Sequence, residues 1–284
     1  MIWTLQPAEN LSDQQFDLWS KLLEDRAGIT ISNSQKSFLQ TQVNMRMREL
    51  GHSNYSDYFE QVVSGVEGVL EWSILIDRLV VKETNFFRHL PSLDFVRSYL
   101  QDKIDRQELN ESFDIWSVGC ATGEEPYSLT MYVNECFELA RHEPYFGITA
   151  TDISRVALSV AKAGLYSERK VDFVFPALRN KYFKKAEKDL FQIDSQLRDK
   201  VCFNQANILK VHDMPLMNFD AIFCQNVLIY FRKELRVEVL NALAKRLKPG
   251  GILVIGLGEI VDWKNPLMKR VPNERIQAYS RIQS

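Results

Sequence analysis

The sequence contains few cysteines, and they are scattered along the chain. Among its 284 residues there are four, Cys120, Cys136, Cys202 and Cys224, and no two of them form a C-x-x-C pair. No histidine stands beside them at the spacing of metal ligands, so the pattern argues against a zinc site or a disulfide framework. We therefore predict no metal site and four buried thiols in a reducing compartment.

The chain also lacks a long hydrophobic run and an excess of charge of either sign. Its longest apolar stretch, residues 250–257, is far shorter than the ~20 residues that a transmembrane helix needs. The first ten residues have neither the basic flank nor the apolar core of a secretory signal. A net charge of −2 gives little support to nucleic-acid binding. We expect a cytoplasmic protein that neither inserts into a membrane nor binds nucleic acid.

The charge that is present is unevenly distributed, and this divides the chain into two parts. Residues 1–80 carry 11 acidic and 6 basic side chains, whereas residues 81–284 carry 26 and 29. In the first part, a capping box at Ser12 and Gln15 and apolar residues at helical spacing predict a small all-helical domain. Its helices are expected after Ser12 and at residues 34–50, 55–63 and 69–79.

One of these helices shows how its buried face is predicted. Within residues 34–50, an apolar stripe at helical spacing should face the core, and Gly51 should end the helix. The stripe consists of Leu39, Val43, Met47 and Leu50.

The second part alternates strands with helices. Strands are predicted at residues 113–118, 146–151, 201–205, 219–224 and 252–257. Helices are predicted at residues 124–141, 154–163 and 233–247, the last followed by a turn at 248–251. Such alternation indicates an α/β fold, with a doubly wound, mostly parallel sheet covered on both faces. Between residues 164 and 201 the pattern breaks into short charged pieces, which predicts a small inserted subdomain.

Ligands of a doubly wound sheet bind beyond the carboxyl ends of its strands, where the strand order switches. A glycine turn at residues 119–123 follows the first predicted strand, and Glu124 and Glu125 then open a helix. These acids would repel a dinucleotide pyrophosphate and suit a ligand with hydroxyl groups or a positive charge. The alternative is that both acids merely complement the helix dipole.

Three further places could contribute to such a site. Asp152 ends the second strand, where an acid can bind ribose hydroxyls, although it could also be a helix N-terminal acid. Asn226 and Tyr230 follow the fourth strand, where they could face the reacting atoms or belong to the core. Arg88 stands beside two phenylalanines at the junction of the two parts, either as part of a lid or as a solvated linker residue.

Taken together in order and spacing, these segments resemble the chemotaxis receptor methyltransferases. The match, order and spacing included, covers nearly the whole chain. Its runs are TNFFR at 84–88, GEEPYS at 123–128, TDI at 151–153, AGLY at 163–166, NVLIYF at 226–231, LKPGG at 247–251 and GLGE at 256–259. The resemblance implies a class I, Rossmann-like methyltransferase. Such an enzyme transfers a methyl group from S-adenosyl-L-methionine to receptor glutamates and releases S-adenosyl-L-homocysteine.

The resemblance also implies roles for individual residues. The cofactor-binding positions are Thr84, Arg88, Glu125, Asp152, Asn207, Ile208, Asn226 and Val227. Arg88 and Tyr230 are expected at the reaction centre. Two positions depart from the family pattern, because Lys82 replaces a cofactor-binding asparagine and Gln225 replaces an arginine. These changes could alter the pocket or the local charge.

The resemblance further implies a domain division and a partner. An N-terminal helical domain at 1–80, a linker contributing to the site at 81–90 and a methyltransferase domain at 91–284 are expected, the last with the insert at 164–201. In the family, a basic helix of the first domain meets acidic methylation helices of chemoreceptors. The bases available here are Lys36, Arg46 and Arg48, which do not form an obvious stripe.

Two other functions are compatible with parts of the pattern. A signalling module that binds the cofactor without turnover would account for Lys82 and Gln225. A nicotinamide oxidoreductase is disfavoured, because residues 119–124 read GCATGE and lack the G-x-G-x-x-G fingerprint. A methyltransferase acting on a small molecule would leave the helical domain unexplained.

Overall fold

The computed structural model describes residues 10–109, 112–141, 145–215 and 217–283. The first nine residues, which lack the pattern of a secretory signal, lie outside the described part of the chain. Contacts among the residues divide the chain into two units. A helical unit comprises Met1–Val81 with Tyr230–Arg232, and a sheet unit comprises Lys82–Ile229 with Lys233–Ser284.

The described residues of the helical unit form four α-helices, which confirms the predicted all-helical character. They are α1 (Asp13–Ala27), α2 (Lys36–Leu50), α3 (Tyr55–Val63) and α4 (Gly65–Leu79). The capping box forms as predicted, with the Gln15 N–H donating to Ser12 Oγ and the Ser12 N–H donating to Gln15 Oε1. Gly51 ends α2 in the left-handed conformation.

The buried face of α2 agrees with the predicted stripe at three of its four positions. Leu39, Val43 and Met47 are buried, but Leu50 is exposed. The reason is that Leu50 is the last residue of the helix, directly before Gly51 turns the chain.

A buried ion pair ties α2 to α4 inside the helical unit. Arg46 donates from Nε and Nη2 to the two carboxylate oxygens of Glu71, at 2.8 and 2.7 Å. The Tyr58 hydroxyl of α3 donates to the same carboxylate at 2.6 Å. Glu71 is buried, so these bonds compensate for the removal of its charge from water.

The sheet unit follows the predicted alternation and adds elements that had not been predicted. In chain order its elements are α5 (Leu90–Asp105), β1 (Ser112–Val118), α6 (Glu124–Ala140), β2 (Tyr145–Asp152), α7 (Arg155–Ala163), β3 (Leu165–Ser167), α8 (Glu168–Val171), α9 (Pro176–Tyr182), β4 (Phe183–Lys185), β5 (Leu190–Ile193), α10 (Ser195–Arg198), β6 (Val201–Gln205), β7 (Phe219–Cys224), α11 (Lys233–Lys245), β8 (Leu247–Ile255), β9 (Met268–Arg270) and β10 (Gln277–Arg281).

Seven of the strands form one sheet in the order β6-β2-β1-β7-β8-β10-β9. The strands from β6 to β8 are parallel, whereas β10 is antiparallel to both β8 and β9. The order reverses between β1 and β7, which places the switch point there. This arrangement confirms the predicted α/β fold with a doubly wound, mostly parallel sheet.

The predicted insert is a second, small sheet. Strands β3, β5 and β4 pair antiparallel in that order, with the short helices α8 and α9 between β3 and β4. Tyr166, Tyr182, Phe183 and Ile193 bury their side chains in this segment and join the core of the sheet unit.

Three details of the sheet unit correct the predictions. Residues 248–251 were predicted as a turn, but they lie within β8, which bulges there against β7 and ends at Ile255 instead of residue 257. Cys202 is exposed and not buried, because it lies on β6, an edge strand. The other three cysteines are buried.

In the described part of the chain, no helix is long and apolar enough to cross a membrane.

Candidate functional site

A tight loop follows β1 at the carboxyl edge of the sheet. The N–H groups of Gly119 and Cys120 both donate to the Thr151 carbonyl, at 2.8 and 3.0 Å. Gly119 has a φ of +71°, and a Cβ built on it would lie 2.3 Å from Val227 Cγ2. Only glycine therefore allows the loop after β1 to approach the loop after β7 this closely.

Asp152 is fixed by two backbone groups at the end of β2. Its Oδ2 accepts from the Ala121 N–H at 2.8 Å, and its Oδ1 accepts from the Ser154 N–H at 2.8 Å. These bonds join the loop after β1 to the start of α7 and fix the orientation of the carboxylate. The half-buried side chain is thus held at the position where an acid can bind ribose hydroxyls.

Glu125 occupies a different environment at the start of α6. Ser117 Oγ of β1 donates to its Oε1 at 2.7 Å. Burial raises the pKa of Glu125 to about 8, although the Ser117 hydroxyl and the charge of Arg88 favour the ionised form. The nearby charge of Glu259 acts in the same direction as burial. A positively charged neighbour would stabilise the ionised form of such an acid.

Thr84 and Arg88 lie on the segment that begins the sheet unit. Thr84 is buried, and its carbonyl accepts a hydrogen bond from Lys170. Arg88 is exposed, and its Nη1 donates to the Glu83 carbonyl at 3.2 Å. The guanidinium therefore remains at the surface while its charge acts on Glu125.

The remaining cofactor candidates lie on the loops after β6 and β7. Asn207 accepts from the Leu209 N–H at 3.0 Å and begins a 3-10 segment, Ile208–Asp213. The Ala206 N–H donates to the Asp152 carbonyl at 2.9 Å, which ties the start of this loop to the end of β2.

On the loop after β7, Asn226 has a φ of +60°, a conformation that asparagine tolerates better than most residues. Val227 faces Gly119.

The structure thus brings most of the predicted positions to one edge of the sheet unit. Tyr230 is the exception, because its contacts group it with the helical unit, where its carbonyl accepts from Thr30 N and Oγ1 at 2.9 and 3.0 Å. Its place at the reaction centre stays a prediction.

Gln225, one of the departures from the family pattern, forms hydrogen bonds that link parts of the fold. It is buried at the end of β7, and its Nε2 donates to Ser92 Oγ at 2.8 Å and to the Ile255 carbonyl at 3.2 Å. The amide therefore joins α5 to β8. The other departure, Lys82, is half-buried.

Glu259 belongs to this edge, although no pattern in the sequence assigned it a role. It is buried, and its Oε2 accepts from the Gly256 N–H at 2.8 Å. A Cβ at Gly256 would lie 2.7 Å from Glu259 Cδ, which explains the glycine in the run GLGE. Burial raises the pKa of Glu259, while the N–H groups of Gly256, Ile229 and Val227 favour its charge. Within the described residues, no group forms a hydrogen bond of good geometry to its Oε1.

These groups match the chemistry of a cationic nucleoside. A backbone-anchored acid at the end of β2 suits ribose hydroxyls, and the desolvated acid on α6 suits a positive charge. The side chains of Asn207 and Asn226 offer both donors and acceptors. This fold and donor set are those expected of an S-adenosylmethionine-dependent methyltransferase.

Comparison with known proteins agrees with this class. Residues 82–276 match the family described as "CheR methyltransferase, SAM binding domain", and residues 14–80 match "CheR methyltransferase, all-alpha domain". The chain belongs to this family, and its cofactor is S-adenosylmethionine.

Curated relatives match along most of their length. A chemotaxis protein methyltransferase of Borreliella burgdorferi is 29% identical over 89% of this chain and 90% of its own. One from Vibrio anguillarum is 30% identical over 89% and 91%. Chemotaxis protein methyltransferase 1 of Pseudomonas aeruginosa is 28% identical over 88% and 92%.

Proposed function

We propose that the protein methylates glutamate side chains of chemoreceptors in the cytoplasm, giving glutamate methyl esters and S-adenosylhomocysteine. The family and the names of its curated relatives support methylation in chemotaxis. The observation that carries the proposal is that the desolvated carboxylate of Glu125, which Ser117 Oγ contacts at 2.7 Å, lies within the electrostatic influence of the exposed guanidinium of Arg88. One group suits a cationic cofactor, and the other suits an acidic substrate.

The reaction requires little acid–base chemistry from the protein. S-adenosylmethionine supplies a methyl group on a positively charged sulfur. The side chain of a solvent-exposed glutamate ordinarily has a pKa of about 4.3, so it is ionised at neutral pH and needs no general base. The task left to the protein is to align the carboxylate and to exclude water.

The residues of the site divide this task between them. Asp152 would hold hydroxyl groups, while Glu125 would favour positive charge. Arg88 would orient a carboxylate of the substrate or the cofactor. Tyr230 would pack or donate a hydrogen bond near the methyl group. The remaining contacts with the cofactor are assigned to Thr84, Asn207, Ile208, Asn226 and Val227.

The partner would be an acidic methylation helix of a chemoreceptor, and the helical unit offers fewer cations for it than expected. Arg46 is committed to the buried Glu71 and to Glu49, so we do not retain it in the docking surface. Lys36 pairs at 2.6 Å with the almost fully exposed Asp13, a partner it can exchange cheaply. Arg48 is exposed. We propose Lys36 and Arg48 as docking residues.

The functional division proposed from the sequence remains our proposal. Residues 1–80 would dock the receptor, residues 81–90 would complete the cofactor site, and residues 91–284 would carry the transfer.

The test is transfer of labelled methyl groups. The purified protein is incubated with its cognate receptor in membranes and with methyl-labelled S-adenosylmethionine, and alkali-volatile methanol is counted. We expect labelled methanol that disappears when the receptor's acceptor glutamates are replaced by alanine. Absence of volatile label with several receptors would contradict the proposal.

A cofactor-binding module without turnover would give a distinct result. Calorimetry would then show binding of S-adenosylhomocysteine, yet the same preparation would transfer no methyl group to any receptor. The two measurements on one preparation therefore separate the enzyme from the module.

A further inference from the structure

One lysine of the inserted segment contacts two other parts of the sheet unit. Lys170, on α8, places its Nζ 2.9 Å from Oε1 of Glu124, the first residue of α6. The same ammonium donates to the carbonyl of Thr84. Three segments that are far apart in sequence therefore meet at one charge.

The burial of Glu124 makes this charge necessary. Only 1% of the Glu124 surface is exposed, and a buried carboxylate without compensation is costly. Thr122 Oγ1 donates to its Oε2 at 2.6 Å, but no donor is aimed at Oε1 with hydrogen-bond geometry in the described residues. Lys170 therefore neutralises Glu124 as an ion pair and directs its hydrogen bond to Thr84.

Aromatic side chains hold the same segment from either side. Phe86 packs edge-on against Tyr166 and Phe183 of the insert, with ring centroids 4.9 and 5.4 Å apart. The Phe87 N–H donates to Ser128 Oγ of α6 at 3.0 Å, and its ring contacts Phe175. Residues 84–88 are thus held between α6 and the insert.

We infer that Lys170 is a positioning residue for the cofactor site. It fixes the backbone at Thr84 and the start of α6, and thereby the placement of Arg88 and Glu125. The inference rests on the proposed assignment of Thr84, Arg88 and Glu125 to the cofactor. Through Lys170 the inserted segment takes part in cofactor binding, although none of its residues was assigned to the cofactor.

Three variants test the inference by calorimetry with S-adenosylhomocysteine. Lys170→Met leaves Glu124 buried and uncompensated, so both the melting temperature and the affinity should fall. Lys170→Met combined with Glu124→Gln removes both charges and should restore most of the melting temperature. Its affinity should stay about tenfold below wild type, because the Thr84 carbonyl has lost its donor. Lys170→Arg keeps a charged donor and should restore both.

A second readout does not depend on the ligand. Hydrogen exchange of the amides at residues 84–88 should be faster in the double variant than in wild type, and should return to the wild-type rate in Lys170→Arg. Wild-type affinity and exchange in the double variant would overturn the inference while leaving the cofactor assignments intact. If the wild-type protein itself bound no S-adenosylhomocysteine, the assignments would fail and the inference with them.

Discussion

Glu71 of the helical unit and Glu125 of the sheet unit are both removed from water, but their carboxylates have different partners and their pKa values are shifted in opposite directions. Glu71 of α4 accepts two hydrogen bonds from Arg46 and one from Tyr58. Burial alone would raise its pKa, but the hydrogen bonds and charges of these partners outweigh burial and hold the pKa below its usual value. The carboxylate is charged and fully compensated within its own unit.

Glu125 of α6 accepts a hydrogen bond from Ser117, and the favourable charge acting on it belongs to the exposed Arg88. Burial therefore dominates and raises its pKa to about 8. The difference separates a carboxylate that serves the fold from one that is suited to a ligand. Removing a partner of Glu71 should cost stability, whereas changes around Glu125 should affect binding.

The largest effect is expected from Arg46→Met. This change leaves Glu71 charged and buried without its main partner, and breaking such a pair typically costs about 3–5 kcal/mol. Urea unfolding followed by far-ultraviolet circular dichroism should show the lower free energy of unfolding. Arg46→Met protein that remains folded should bind S-adenosylhomocysteine with unchanged affinity.

The matched control is Arg48→Met, which removes an exposed arginine from the same helix. Its unfolding free energy should stay within about 0.5 kcal/mol of wild type. Equal stability of the Arg46 and Arg48 variants would show that the buried pair contributes little, and the contrast between Glu71 and Glu125 would lose its energetic basis.

The next effect concerns the exposed Arg88. Arg88→Ala removes a charged donor without opening a cavity, so unfolding should change by no more than about 0.5 kcal/mol. We expect kcat/KM for methyl transfer to fall about a hundredfold, which corresponds to about 2.7 kcal/mol, the size of a hydrogen bond to a charged group.

Arg106→Ala is the control, since Arg106 is also exposed and lies at the end of α5. It should transfer methyl groups like wild type. Near-normal turnover by Arg88→Ala would remove Arg88 from the site.

Local patterns in the sequence were sufficient for much of the fold and part of the site. The capping box at Ser12 and the glycine at position 51 depend on residues within a few positions of each other, and both were predicted correctly. The same holds for the turn after β1 and the acid ending β2. Because parallel strands end at a common edge, the sequence alone is enough to place Asp152 and Glu125 near each other.

What could not be predicted depends on contacts between distant segments. The resemblance implied a docking role for Arg46, and nothing in the sequence indicated its ion pair with Glu71, which lies 25 residues away. Glu124 and Glu125 are adjacent and chemically identical, yet one is paired with Lys170 and the other is not. Residues 248–251 form a bulge within β8, because Leu247 and Ile252 on either side of them pair with Phe219 and Ala221 of β7.

Glu125 should make the affinity for the cofactor depend on pH. In the free folded protein this group is largely protonated below about pH 8, and a positively charged ligand favours its ionised form. Affinity for S-adenosylmethionine, measured by calorimetry without receptor and corrected with the Glu125→Gln variant, should therefore rise about tenfold between pH 6.5 and 8. Parallel pH profiles for the two proteins would contradict this assignment.

The same group makes a signed contribution to stability. Because the folded pKa lies above the value of 4.5 expected in the unfolded chain, the folded state holds the proton more tightly. Its contribution is present in full below the unfolded pKa and is lost as the pH rises through about 8. Glu125→Gln should remove this loss from the pH dependence of urea unfolding.

The smallest effect concerns Glu259, which stands between the two cases. It is buried like Glu71, and burial raises its pKa even though backbone N–H groups and the charge of Arg236 favour its ionised form. Its negative charge also raises the pKa of Glu125. Glu259→Gln should therefore move the pH midpoint of S-adenosylmethionine binding, measured by the same calorimetric titration, to lower pH by a fraction of a unit. Glu274→Gln, which neutralises an exposed glutamate of the same unit, should leave the midpoint unchanged. An unmoved midpoint in both variants would mean that the two carboxylates titrate independently, and that burial by itself accounts for the raised pKa of Glu125.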